Sequence, residues 1–215
     1  MKSAKKILMI CLATCSLLQV NFATAAPKSA KPEAITTNVD SGLYISDAAY
    51  FHAEGKRAAV LVPGFIFNKE SWFRLAKPLQ KLGVASLTLN AKSVDSVNAA
   101  IKLLKEKGFK EIILVGGSSG AAAVLKTMSK EVAGVTKVVT LSAVRGNPIA
   151  DKNVDKLFIV SKGEKSYTKV NDFYNESSEP KTLKVFEGNK HAQFLFFSEH
   201  KKELMKVLTN FIVYK

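Results

Sequence analysis

The chain has 215 residues, with 32 Lys and Arg against 18 Asp and Glu and a formal net charge of +14. That length suits one domain with a sizeable core. The positive excess is almost all lysine, spread along the chain, with arginine only at Arg57, Arg74 and Arg145. Base readout and phosphate clamping favour arginine forks, so no nucleic-acid partner is expected, and weak attraction to anionic envelope surfaces is the most this charge suggests.

Residues 1–25 read as a secretory signal peptide: Lys2, Lys5 and Lys6 precede an apolar run from Ile7 to Val20, and Ala23-Thr24-Ala25 forms a small-x-small cleavage signal. The run is shorter than the roughly 20 residues that span a bilayer. Cleavage would leave 190 residues and lower the formal charge from +14 to +11. Both cysteines, Cys11 and Cys15, fall inside the leader. The remainder can form no disulfide, thiolate nucleophile or cysteine metal site, which suits a periplasmic or secreted protein.

Residues 26–41, rich in Ala, Lys, Pro and Thr, read as a linker to a domain at 42–215. Gly42–Ser46 and Ala49–His52 are expected as short strands forming a hairpin at a sheet edge. Ala58–Val62 is a continuous apolar run, as expected of a strand covered on both faces. Trp72, Leu75, Leu79 and Leu82 repeat at helical spacing, with Pro78 marking a kink or a late start. Val84–Leu89 is the next strand, and Ser93 caps a helix closed by Gly108. Strands follow at Ile112–Val115, Lys137–Leu141, Lys156–Val160 and Thr182–Phe186, with a helix over Tyr167–Asn175 and another over 198–213. This alternation implies an α/β fold with a mainly parallel, doubly wound sheet.

Gly116-Gly117-Ser118-Ser119-Gly120 stands between the strand Ile112–Val115 and the small-residue run Ala121–Leu125. Five residues alone would read as a glycine-rich turn whose serine caps a helix. A sharp strand-to-helix turn has a further consequence: it pushes the Ser118 hydroxyl out of the sheet edge at the positive end of a helix. Of the three histidines, His52 falls in the first hairpin and His200 in the last helix. Only His191 lies in a loop after the final strand, where an imidazole could take up and return the serine proton. No phosphate loop, dinucleotide fingerprint or metal-ligand spacing occurs, so neither cofactor nor metal is expected. Phe194, Phe196 and Phe197 are expected in the core, while Phe65 and Phe67 could line an acyl pocket or pack a turn.

Residues 42–215 resemble an α/β-hydrolase in element order and in three stretches. These are Val60-Leu61-Val62-Pro63-Gly64-Phe65, the Gly-x-Ser-x-Gly sequence, and Gly188-Asn189-Lys190-His191. The resemblance implies Ser118 as nucleophile, His191 as base, and the amides of Phe65 and Ser119 as oxyanion donors. It also implies an acid in the loop after Lys156–Val160. The common family spacing would put that acid at position 166, which is Ser166; Glu164 lies two positions early, and Asp172 is a second candidate. Only Val144–Asp155 separates the strands between which relatives insert a lid, so no large cap is expected. Two functions follow: a serine hydrolase of small carboxylic esters, or a degenerate hydrolase serving as a binding or envelope-associated module.

Overall fold

The computed structural model describes residues 31–39 and 43–214, so the expected leader lies outside the described residues. An eight-stranded sheet runs through the protein, built from β1 (Glu33–Val39), β2 (Leu43–Phe51), β3 (Arg57–Val62), β4 (Val84–Thr88), β5 (Glu111–Gly117), β6 (Val135–Leu141), β7 (Asp155–Ser161) and β8 (Lys181–Phe186). Their order is β1-β2-β4-β3-β5-β6-β7-β8. β1, β2 and β4 pair antiparallel, and every pairing from β4 to β8 is parallel. This is the α/β-hydrolase fold.

Among the described residues five α-helices cover the sheet: α1 (Phe73–Lys81), α2 (Val94–Glu106), α3 (Ser119–Thr127), α4 (Tyr167–Glu176) and α5 (Lys201–Val213). Strand alternation divides the core into two layers. Ala58, Val60 and Val62 of β3, with Ile112 and Leu114 of β5, pack with α2, α3 and α4. Ala59, Leu61, Ile113 and Val115 pack with α1 and α5. The central strands are buried on both faces, which explains their unbroken apolar runs.

Local chemistry sets the helix ends. Ser93 Oγ accepts the Ser96 amide at 3.1 Å and starts α2 as expected. Gly108, at φ +91°, follows α2 in a conformation that costs glycine little. The last turn of α5 has cations on its carbonyls: Arg57 Nη1 donates to Val213 O at 2.5 Å and Lys137 Nζ to Phe211 O at 2.9 Å. Both favour the negative end of the helix dipole. Pro78 does not mark a late start, since α1 begins at Phe73 and continues through it.

The N-terminal hairpin departs from the expected one. The supposed linker contains β1, and the two short segments expected to pair with each other form one strand, β2, whose partner is β1. The gap between them is a bulge. Ser46 and Asp47 face Thr36 alone, Asp47 has φ +50°, and its amide donates to Thr36 Oγ1 at 3.1 Å. Ile35 of β1 is buried and packs into the core.

Candidate active site

The sheet delivers its parallel strands to one edge, and the candidate groups stand on the loops there. β5 ends at Gly117 and α3 begins at Ser119, leaving Ser118 to turn the chain at φ +51° and ψ −112°. A non-glycine residue held there stores backbone strain, of order 1–3 kcal/mol, that its surroundings must offset. The Ser118 amide donates to Leu141 O at 2.8 Å. The glycines on either side are needed for space. A Cβ on Gly116 would come within 2.6 Å of the Ala121 backbone, and one on Gly120 within 2.3 Å of Val62 O.

A chain of hydrogen bonds leads away from Ser118. His191 Nε2 lies 2.8 Å from Ser118 Oγ, and His191 Nδ1 lies 2.5 Å from Glu164 Oε2. An ionised carboxylate only accepts, so the Nδ1 proton donates to Glu164 and Nε2 is left to accept from the serine. Glu164 is thus the carboxylate in contact with His191. Asp172 stands on α4, 3.9 Å from Lys169. His52 pairs with Glu54 and His200 meets Glu187 O, so neither joins the group.

Glu164 is held from all sides, with 2 % of its side chain exposed. Oε1 accepts from Ser142 Oγ at 2.6 Å and from the Ser161 amide at 2.8 Å, and Oε2 also accepts from Ser166 Oγ at 2.9 Å. Burial pushes this carboxyl up, but the bonds from His191, Ser142, Ser161 and Ser166 outweigh it. The net effect holds it below the usual carboxylate value. Ser166, which occupies the place where the family spacing expects an acid, donates to the acid instead.

Two serine contacts and one glutamine were not anticipated from sequence. Ser142 Oγ, besides donating to Glu164, accepts the Ala192 amide at 2.8 Å and so joins the acid to the histidine loop. Ser142 and Ala192 have φ of +53° and +48°, so three of the four non-glycine residues with positive φ among the described residues gather here. Gln193 is fully buried. Its Oε1 accepts the Gly64 amide at 2.8 Å and its Nε2 donates to Ser71 Oγ at 2.6 Å. It occupies the space a side chain at position 117 would need, since a Cβ on Gly117 would fall 2.5 Å from Gln193 Oε1. A signal existed: a glutamine inside the apolar run Ala192–Phe197 must find polar partners if buried.

The expected oxyanion donors are the amides of Phe65, which follows Gly64, and of Ser119, which follows Ser118. A Cβ on Gly64 would lie 3.3 Å from Ser118 Cβ, which puts the loop bearing Phe65 against the nucleophile position. Gly64 and Phe67 amides are bonded to Gln193 and to Gly64 O, and no hydrogen bond engages the Phe65 amide among the described residues. Ser119 is the first residue of α3, where an amide has no partner within its own helix. A cavity of about 600 Å³ adjoins His191, lined also by Val144, Gly163, Lys165, Lys169 and Asn189. The connection 142–154 between β6 and β7 contains no helix or strand, so it forms no cap. Among the described residues no cluster of His, Cys, Asp and Glu could hold a metal ion.

No protein-family model and no curated protein matches the sequence. Solved structures do match the fold. An α/β hydrolase from Penicillium sp. sh18 superposes with a TM-score of 0.69 at 12% identity, over 86% of this chain and 100% of that one. The esterase domain of a Rhodothermus marinus protein gives 0.66 at 16% identity, over 83% and 96%. An esterase from Exiguobacterium antarcticum gives 0.66 at 10% identity, over 84% and 99%.

Proposed function

We propose that this chain is an exported serine hydrolase that cleaves small carboxylic esters through an acyl-enzyme. The observation that carries the reading is the continuous bonding of Ser118 Oγ to His191 Nε2 at 2.8 Å and of His191 Nδ1 to Glu164 at 2.5 Å. The esterase-like fold of its structural neighbours agrees with it.

In this reading His191 takes the proton of Ser118 as the oxygen attacks the ester carbonyl, and Glu164 stabilises the imidazolium. The negative oxygen of the tetrahedral intermediate accepts from the amides of Phe65 and Ser119; loss of one such donor typically costs about 2.7–4 kcal/mol. His191 returns the proton to the departing alcohol. A water deprotonated by His191 then attacks the acyl-serine, releasing the acid and restoring Ser118. The alternative, a catalytically degenerate binding module, rests on Ser166 standing where an acid is expected; the contact of Glu164 with His191 supports the hydrolase reading instead.

Turnover of short chromogenic esters tests the reading. Wild type should hydrolyse them, and Ser118→Ala should lose at least about a thousandfold in kcat while remaining folded. Equal rates in the two proteins would end the proposal. Export has its own test: protein recovered outside the cytoplasm should begin at Ala26, and an uncleaved N-terminus would contradict it.

A further inference from the structure

Six large apolar side chains are exposed among the described residues, and four stand on two neighbouring loops beside the site. They are Phe65 at 80 %, Ile66 at 71 %, Phe197 at 62 % and Phe194 at 42 % exposure. The loops meet where Phe67 packs edge-on against Phe194, ring centres 5.0 Å apart, and the Gly64–Gln193 bond ties them beneath. Of the three phenylalanines expected in the core only Phe196 is buried; Phe194 and Phe197 are not core residues. The intervening residues of a 3₁₀ turn, Ala192–Phe197, point inward, and this periodicity sends the other two rings to solvent. Apolar side chains gathered in this way mark a contact surface.

Cations border the patch. The Arg74 guanidinium lies over the Phe197 ring at 4.3 Å. With Lys201 and Lys202 it lines a cleft of about 390 Å³, completed by Phe196 and Met205 and containing no carboxylate. The nearby acids Glu199 and Glu203 are paired, with His200 at 3.7 Å and with Lys184. Lys201 and Lys202 also open α5, where the helix dipole disfavours positive charge. Glu203 in the same turn offsets part of that cost, and its partner is Lys184 on β8.

We propose that this patch docks on an anionic lipid bilayer, with Ile66, Phe194 and Phe197 entering the headgroup boundary and Arg74, Lys201 and Lys202 meeting lipid phosphates. Resting on the hydrolase reading above, the site then draws acyl esters from that surface. Apolar rings beside basic groups are the pairing that interfacial binding requires. A second copy of the chain is a poorer occupant, because two faces rimmed by Arg74, Lys201 and Lys202 on chains of +14 would repel.

The full chain is mixed with phosphatidylcholine vesicles or with equimolar phosphatidylcholine and phosphatidylglycerol vesicles, and co-sedimentation and amide hydrogen exchange are followed. Binding to the anionic vesicles should exceed binding to the neutral ones and weaken with added salt. Exchange at residues 64–67 and 194–198 should slow on the anionic vesicles, a local readout that binding through the N-terminal apolar run would not move. Ile66→Ser/Phe197→Ser and Lys201→Glu/Lys202→Glu should each abolish that slowing and lower partitioning by at least about tenfold. The lysine replacements favour the helix dipole, so unfolding should not confuse them. Unchanged exchange in both loops, or protection that appears without vesicles as protein concentration rises, would overturn the proposal. Turnover of a water-soluble ester by the Ile66→Ser/Phe197→Ser variant separates the two readings: a normal rate with lost docking leaves the hydrolase intact, and docking without turnover in wild type leaves only the surface.

Discussion

At the scale of single residues, Glu164 joins several observations. Four groups bond a carboxylate that burial alone would drive towards neutrality, and they keep it charged at neutral pH. Glu164→Gln should keep the contacts of Ser142 and Ser166 but lose the orienting charge, lowering kcat by about 10²- to 10⁴-fold. The sign of its linkage follows from a folded pKa below the unfolded one. The stabilisation is complete above the ordinary carboxylate value and is lost as pH falls through the depressed folded value. Chemical denaturation across that range should therefore show wild type losing its advantage over Glu164→Gln as the solution becomes acidic; a gap that widens on acidification would contradict the assignment. Gln193 offers a second case. Removing it leaves the Gly64 amide buried without a partner, a cost of about 1–3 kcal/mol in stability. Because that amide belongs to the loop that presents Phe65, Gln193→Ala should also lower kcat for a short ester by about 10- to 100-fold, with little change in KM. A loss of stability with kcat intact would make Gln193 structural only.

At the scale of elements, the turn from β5 into α3 has no room to vary. A methyl on Gly120 meets backbone oxygens of Val62 and Pro63 at 2.3 and 2.5 Å, and backbone cannot rotate away as a side chain would. Gly120→Ala should destabilise the protein by about 2–4 kcal/mol in urea denaturation and move the Phe65 loop, whereas a neutral result would mean the packing is looser than described. The central parallel strands β3, β5 and β7 were readable because both of their faces are buried, so the apolar runs at Val60, Leu114 and Phe158 are uninterrupted. β1 was not readable: its Ala and Thr residues have no strong pattern, and pairing with β2 makes it a strand. The bulge at Asp47 resembled a turn because both interrupt alternation. Ser118 and His191 were identifiable from order along the chain. Whether Glu164 could reach His191 was not, since that depends on how two loops from β7 and β8 lie together, with Gly163 N bonded to Gly188 O at 2.8 Å. Ser142 and Gln193 escaped for a related reason, as their partners are 50 and 129 residues away.

At the scale of the molecule, a two-layer core holds one edge of the sheet open to solvent. Among the described residues no helix or strand stands between β6 and β7, so on the hydrolase reading that connection supplies no lid. Below the solubility limit of a sparingly soluble ester, progress curves should then start without a lag, and a lag there would imply a gating segment. Labelling with a fluorophosphonate followed by peptide mass mapping is the most direct measurement of nucleophilicity at position 118. The folded wild-type chain should gain one adduct, on the peptide holding Ser118, more slowly in His191→Ala and not at all in Ser118→Ala. A wild-type protein that stays unlabelled, or a Ser118→Ala variant labelled as fast as wild type, would contradict the account.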